Sequence, residues 1–213
     1  GYVFTNGETA KRLEKLFKGV VRPLGATLLK VPDKKAEIAI LESFASQMFY
    51  GDIPGGNMGC PASRVHAALV RAHYQPEIIY DETILTFGLD KFKVLVMPSC
   101  AVLSEAVADR IMLWQKKGGV IVADDLLAPG ITPDVLFPRI MKSDKELSIT
   151  VGNLLRKEIE SVLQPYAEAD SSDAILRVRN YGSSDYLFAF NDNRTYGDYL
   201  GQYRRVMEKG VEL

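Results

Sequence analysis

FKVLVMPSCAVLSEAVADRIMLWQKKGGVIVADD, residues 92–125, reads as strand, loop, helix, turn and strand. KVLVM at 93–97 is a continuous apolar run rich in β-branched residues, the pattern of a strand buried on both faces of a parallel sheet. Pro98 and Ser99 end it. Ser104 is a good N-cap, with Glu105 in the first turn. Val107, Ile111 and Trp114, flanked by Ala108 and Met112, trace one apolar stripe up to Lys116 and Lys117, whose charge suits a helix C-terminus. Gly118-Gly119 stops the helix, and VIVA at 120–123 is a second buried strand, which makes the whole stretch a right-handed βαβ crossover. In such sheets ligands meet the carboxyl ends of the strands, so Ser99, Cys100, Asp124 and Asp125 stand where a site is to be sought.

The bulk composition narrows the classes. A chain of 213 residues, 47% hydrophobic and with a formal net charge of −1, can bury one full core and a small appendage. It carries no basic excess for nucleic acid and no charge pattern for a membrane surface. Two cysteines, Cys60 and Cys100, make no disulfide framework, and no Cys/His spacing marks a metal site. No cofactor motif is present, and the compartment stays open. The first residue is not Met, which is expected of a piece of a longer protein.

Outward from the central unit, Leu13, Leu16, Phe17 and Val20 recur at helical spacing after a Thr5 or Asn6 cap, in a helix expected to end near Pro23. Its other face is strongly basic. After a short polar link, EIAIL at 37–41 forms the first strand, with Glu42 and Ser43 at its carboxyl end. FASQMFYGDIPGGNMGCPAS follows as a long loop over the strand ends, too rich in Gly and Pro for regular structure in its second half. Ser63 is expected to cap the next helix, residues 77–80 to form a short strand and 81–87 a connection. Beyond Asp125 the pattern loosens. A helix is expected from Leu154 to about Leu163, capped by Thr150 or Asn153. Residues 174–179 and 186–190 then read as a β-hairpin. The expected organisation is an N-terminal helix and linker (1–35), an α/β domain (36–165) and a β-rich extension (173–213). The expected fold class is α/β, a three-layer flavodoxin-like parallel sheet with a C-terminal hairpin.

With EIAILES, the long loop, YQPEIIYDETI and the central unit in view, residues 36–125 resemble the class I glutamine amidotransferase-like domain. They look most like the version in family 42 β-galactosidases and related large glycosidases, often called the trimerisation domain. The phrase that carries the resemblance is strand, Met97-Pro98-Ser99, loop, Ser104-capped helix, Gly118-Gly119, strand. It implies a non-catalytic structural or oligomerisation module of a carbohydrate-active protein. Its implied partners are neighbouring domains of a parent chain, further copies of itself and carbohydrate. The basic helix and PLGATLLKVP would fit the exit from an upstream domain, and YLFAFNDNR the entry to a downstream β-sandwich.

Active members of that superfamily carry a cysteine on a tight turn after the strand that follows Gly-Gly. Here that elbow falls at about Asp125, and a carboxylate does no thiolate chemistry. The family's downstream His is also missing, because His66 and His73 both lie on the early helix. Three other groupings compete with this absence. Glu42, Asp124 and Asp125 are candidates to converge as acid/base or cation-holding carboxylates, set against the ordinary use of such residues to cap backbone N–H groups. Cys100 follows a strand on the correct edge, but its loop CAVL is apolar and favours packing. Cys60 precedes Pro61 near a helix N-terminus, where a thiol is activated, though Gly59-Cys60-Pro61 also reads as a structural turn. Two weaker candidates are an anion nest at Asp52, Gly55 and Gly56 and a sugar-stacking platform at Tyr196, Tyr199 and Tyr203. The alternative to the structural module is therefore a small-molecule-binding or hydrolase-like domain using Glu42, Cys60 and Cys100.

Overall fold

The computed structural model describes residues 7–49, 61–142 and 144–192, without the side chains of Glu8 and Thr9. The chain divides into two compact units, Gly1–Lys35 with Arg177–Phe188, and Ala36–Leu176 with Ala189–Leu213.

The larger unit is built on five parallel strands, β1 (Ile38–Glu42), β2 (Glu77–Tyr80), β3 (Val94–Met97), β4 (Val120–Ala123) and β5 (Val135–Leu136), in the order β2-β1-β3-β4-β5. Strand residues alternate between faces, and both faces are covered. Ile38, Ile40, Val94, Val96 and Val122 pack with α4 (Pro61–Arg71) and α7 (Lys145–Ile159) through Val65, Leu69, Val151 and Leu155. Ala39, Leu41, Leu95, Met97 and Ile121 pack on the other side with α5 (Asp81–Phe87) and α6 (Glu105–Lys116), through Ile84, Val107, Ile111 and Trp114. The crossover from β3 through α6 to β4 is as its sequence dictates: Ser104 Oγ accepts from the Val107 N–H, and Gly118, at φ 102, ends the helix.

Several local expectations are corrected. Helix α4 starts at Pro61, placing Ser63 inside the first turn, where proline's fixed φ is already helical. The expected connection at 81–87 is helix α5, with Asp81 and Glu82 in its first turn and Gly88 (φ 72) closing it. The head of the long loop is a short helix, α3 (Phe44–Phe49). Helix α7 begins at Lys145, capped by Asp144, whose Oδ1 accepts from the Leu147 N–H at 2.9 Å. Thr150 and Asn153, the expected caps, lie inside it, and the Ser148 and Thr150 hydroxyls donate back to the carbonyls of Asp144 and Glu146. Strand β5 lies among prolines and has two residues, too few for periodicity to reveal.

The smaller unit carries one long helical run. Helix α1 (Gly7–Leu16) continues through a π-helical turn (Phe17–Val21) into α2 (Arg22–Leu28), past the expected stop at Pro23. The Arg22 N–H reaches back to the Phe17 carbonyl, and this extra residue leaves Pro23 in a first helical turn, where its missing N–H costs nothing. None of the described side chains from 10 to 30 is buried, and Leu16, Phe17, Val20, Val21 and Leu24 are exposed. Within this unit the linker pairs with the hairpin strand β6 (Ala174–Tyr181): Lys34 N–H donates to Val178, Asn180 N–H to Pro32, and Asp33 holds both Arg177 and Arg179. The Arg177 hydrogen bond is the main cause that keeps the Asp33 carboxyl below its usual range. Strand β7 (Ser184–Asn191) completes the hairpin.

At Gly152, α7 comes close to α4, since a Cβ built there would lie 2.4 Å from the Ala68 carbonyl oxygen. Gly152→Ala is therefore expected to destabilise the fold by roughly 1–3 kcal/mol through overpacking, despite alanine's better helix propensity. Urea denaturation checks this, and a variant as stable as the parent would refute the close-approach argument.

Candidate functional site

The sheet order reverses direction between β1 and β3, so the crevice outside their carboxyl ends is where this architecture places a ligand. The loops that follow these two strands are tied together there. The Ser46 hydroxyl donates to the Val102 carbonyl at 2.5 Å and accepts from the Val102 N–H at 3.0 Å. The Ser43 hydroxyl reaches the same carbonyl at 3.4 Å and donates to Asp81 Oδ2 at 3.1 Å, which also accepts from the Ala45 N–H. Ser43 and Ser46 are buried, and these bonds stitch β1, α3, α5 and the loop after β3 into one polar seam, in which Asp81 Oδ1 is buried without a hydrogen-bond partner among the described residues. Sequence reading missed Ser46 and Asp81. Asp81 carried a usable signal, an acidic residue directly after a strand and opening a helix.

Cys100 lies just beyond the seam, only 1% exposed. Its Sγ is 3.8 Å from the Leu41 carbonyl and 3.7 Å from that of Pro98, and it sits in the apolar cluster with Leu41, Leu95 and Met97. A thiol so placed packs as a small hydrophobe. Ser99 beside it adopts φ 53, a left-handed conformation uncommon for a residue with a side chain. What holds it there is Asp124 at the end of β4. Asp124 Oδ2 accepts both the Ser99 N–H (2.9 Å) and the Ser99 hydroxyl (3.0 Å), and Oδ1 accepts the Leu126 N–H at 3.0 Å. Asp124 is 2% exposed, and burial pushes its carboxyl above the usual range against the pull of those hydrogen bonds.

The three candidate carboxylates are engaged separately. Glu42 Oε1 accepts from Gln47 Nε2 at 2.8 Å, Asp124 serves Ser99 and Leu126, and the exposed Asp125 pairs with Arg139 at 2.8 Å. His73 lies elsewhere, at the end of α4 just before β2 begins, with Nε2 3.2 Å from the Ser171 carbonyl, and His66 is on α4 itself. Cys60, Asp52, Gly55, Gly56, Tyr196, Tyr199 and Tyr203 lie outside the described residues. Among the described residues, no group of three or more His, Cys, Asp or Glu side chains is arranged to hold a metal ion. No helix there is long and apolar enough to cross a membrane.

Two measurements test this site. Asp124→Asn offers one acceptor where the carboxylate offers two sides, leaving either Ser99 or Leu126 unpaired, and is expected to cost about 1–3 kcal/mol. The native Asp124 carboxyl, raised above 3.8, keeps its proton over a window in which the unfolded chain has released it. Wild-type stability therefore loses this contribution as pH rises through that window, and the variant lacks the slope. Denaturation curves across the window check both statements, and an equal slope in the two proteins would contradict them. In a Cys60→Ala background, Cys100 is expected to alkylate at least about 100-fold more slowly than free cysteine at neutral pH, because reaction awaits local opening. Rapid alkylation in the folded protein would reopen the thiol as a nucleophile.

No protein-family model matches the chain, and no curated protein matches it in sequence. Among solved structures it is similar to the β-galactosidase from Bacillus circulans sp. alkalophilus, with a TM-score of 0.56 and 15% identity over 80% of this chain and 37% of that one. It is also similar to the cold-adapted β-galactosidase from Rahnella sp. R3, with a TM-score of 0.53 and 14% identity over 81% of this chain and 39% of that one. A third is Gan42B, a GH42 β-galactosidase, with a TM-score of 0.52 and 13% identity over 75% of this chain and 35% of that one. At such identities the likeness establishes the shared α/β fold. The chain spans little more than a third of the length of each of these proteins.

Proposed function

We propose that this chain is a non-catalytic, glutamine amidotransferase-like module of a multidomain glycoside hydrolase, β-galactosidase-like, in which the chemistry belongs to another part of the protein. The observation that carries the reading is the state of the strand ends. Where the amidotransferase elbow would stand, Asp125 is a carboxylate paired with Arg139, and its neighbour Asp124 is buried and spends its own carboxylate on Ser99 and Leu126. Beside it, Ser43, Ser46 and Val102 tie the loops after β1 and β3 together. The strand order β2-β1-β3-β4-β5, with helices packed on both faces, supports the flavodoxin-like, three-layer description. The likeness to β-galactosidases of which the chain spans about a third supports a role as one domain among several. The exposed apolar residues of the helical run, Leu16, Phe17, Val20, Val21 and Leu24, supply a surface for a neighbouring domain or a further copy of the chain.

The purified chain is expected to hydrolyse neither glutamine nor an aryl β-galactoside above the buffer rate. Turnover that follows the protein through purification and disappears in Cys100→Ala or Glu42→Gln would overturn the module reading in favour of a hydrolase using the strand-end cleft.

A further inference from the structure

Away from the strand-end site, a second polar cluster gathers at the other end of α4. Its centre is Arg71, a guanidinium only 4% exposed. Arg71 Nη1 donates to the Ser172 carbonyl at 3.1 Å and lies 3.4 Å from Asp173 Oδ1, while Nη2 donates to Asp192 Oδ2 at 3.1 Å. Asp173 directly precedes β6, and Asp192 directly follows β7. One buried cation therefore grips both feet of the hairpin. Three further contacts converge on the same place. The Asp192 N–H donates to the Asp173 carbonyl at 2.7 Å, Lys145 Nζ from the start of α7 reaches Asp173 Oδ1 at 2.6 Å, and His73 Nε2 meets the Ser171 carbonyl at 3.2 Å.

The backbone at the end of α4 is shaped for this. His73 adopts φ 68, its N–H bonds the Val70 carbonyl and the Tyr74 N–H bonds the Leu69 carbonyl, which is a Schellman ending with histidine where glycine usually stands. The left-handed residue turns the chain sharply and brings the imidazole to Ser171 just beyond Arg71. A buried charge is tolerated only when it is paired and hydrogen-bonded, and loss of one partner leaves the other stranded. Nothing in the packing of the parallel sheet requires an arginine here, since the core of α4 against the sheet is made by Val65, Ala68 and Leu69.

We propose that Arg71 is the latch of the hairpin: a positioning residue that fixes where the chain leaves the α/β unit into β6 and rejoins it after β7. The hairpin feet then form a cooperative element held by charge, separable from the apolar sheet that the rest of the unit depends on. This rests on the module reading only in supplying its use, a fixed point at which the chain leaves and re-enters the α/β unit. The latch itself stands or falls on exchange measurements, whereas the module reading is decided by activity assays.

The test is native-state hydrogen exchange on the whole chain, comparing wild type with Arg71→Met, Arg71→Lys and Asp192→Asn. The Asp192 and Ala174 amides, which close the two feet, are expected to lose protection by at least about 100-fold in Arg71→Met, the scale for orphaning a buried pair, while β1, β3 and β4 amides keep theirs. Arg71→Lys restores part of the lost protection, because it keeps the charge but not the fork that reaches both aspartates. Asp192→Asn, a milder change, gives the same local pattern and decides the matter if Arg71→Met fails to fold. Equal loss of protection across the sheet would make Arg71 an ordinary core residue, and unchanged feet would remove the latch. Either result overturns the proposal.

Discussion

The constraint on which the larger unit depends is the complete burial of three adjacent parallel strands. Ile38 to Leu41 of β1, all four residues of β3 and the last three of β4 are closed to solvent from both sides. A parallel sheet covered on both faces admits no polar side chain along its strands, so polarity is displaced to the ends. That is why Glu42, Ser43, Ser99, Asp124 and Asp125 accumulate at one edge and Glu37 and Lys93 pair at the other. The edge acquires its polar residues whether or not any chemistry is done there.

What separates a site from a mere edge is whether those groups are left available. Here Asp124 is engaged by Ser99 and Leu126, Glu42 by Gln47 and Asp125 by Arg139. Asp124 accepts three hydrogen bonds from two loops and in doing so holds Ser99 in a conformation that costs of order 1 kcal/mol or more. Ser46 and Val102 exchange two hydrogen bonds across the place where the strand order reverses. The Ser99 N–H points at the buried Asp124 carboxylate, so the left-handed conformation is held by hydrogen bonds within the edge itself.

The sequence made the buried elements legible and the short ones illegible, for one physical reason. Hydrophobic periodicity records burial, so residues 93–123 were readable almost to the residue, as were the β1 and β2 strands and the hairpin. Caps and local side-chain-to-backbone hydrogen bonds leave no such record. Thr150 and Asn153 look like helix starts and are interior, while Asp81 looks like a loop residue and opens a helix. At the candidate site, the residue types at each strand end were foreseeable, but their pairing was not. Ser46 meets Val102, 56 residues away, and Arg71 meets Asp192, 121 away. No local pattern encodes either contact.

The helical run at 7–28 poses the complementary problem, because its pattern predicts burial that the described residues do not supply. Isolated helices gain little stability from propensity alone, and most of it comes from packing an amphipathic face. Here a π turn adds further cost, and Leu16, Phe17 and Val20 are each 44–51% exposed. What anchors the end of the run is polar: Arg179 reaches the Leu28 carbonyl, and Asp33 is held between Arg177 and Arg179. A helix secured by charge at one end, with its apolar face exposed, draws its stability from that polar anchor rather than from a packed face.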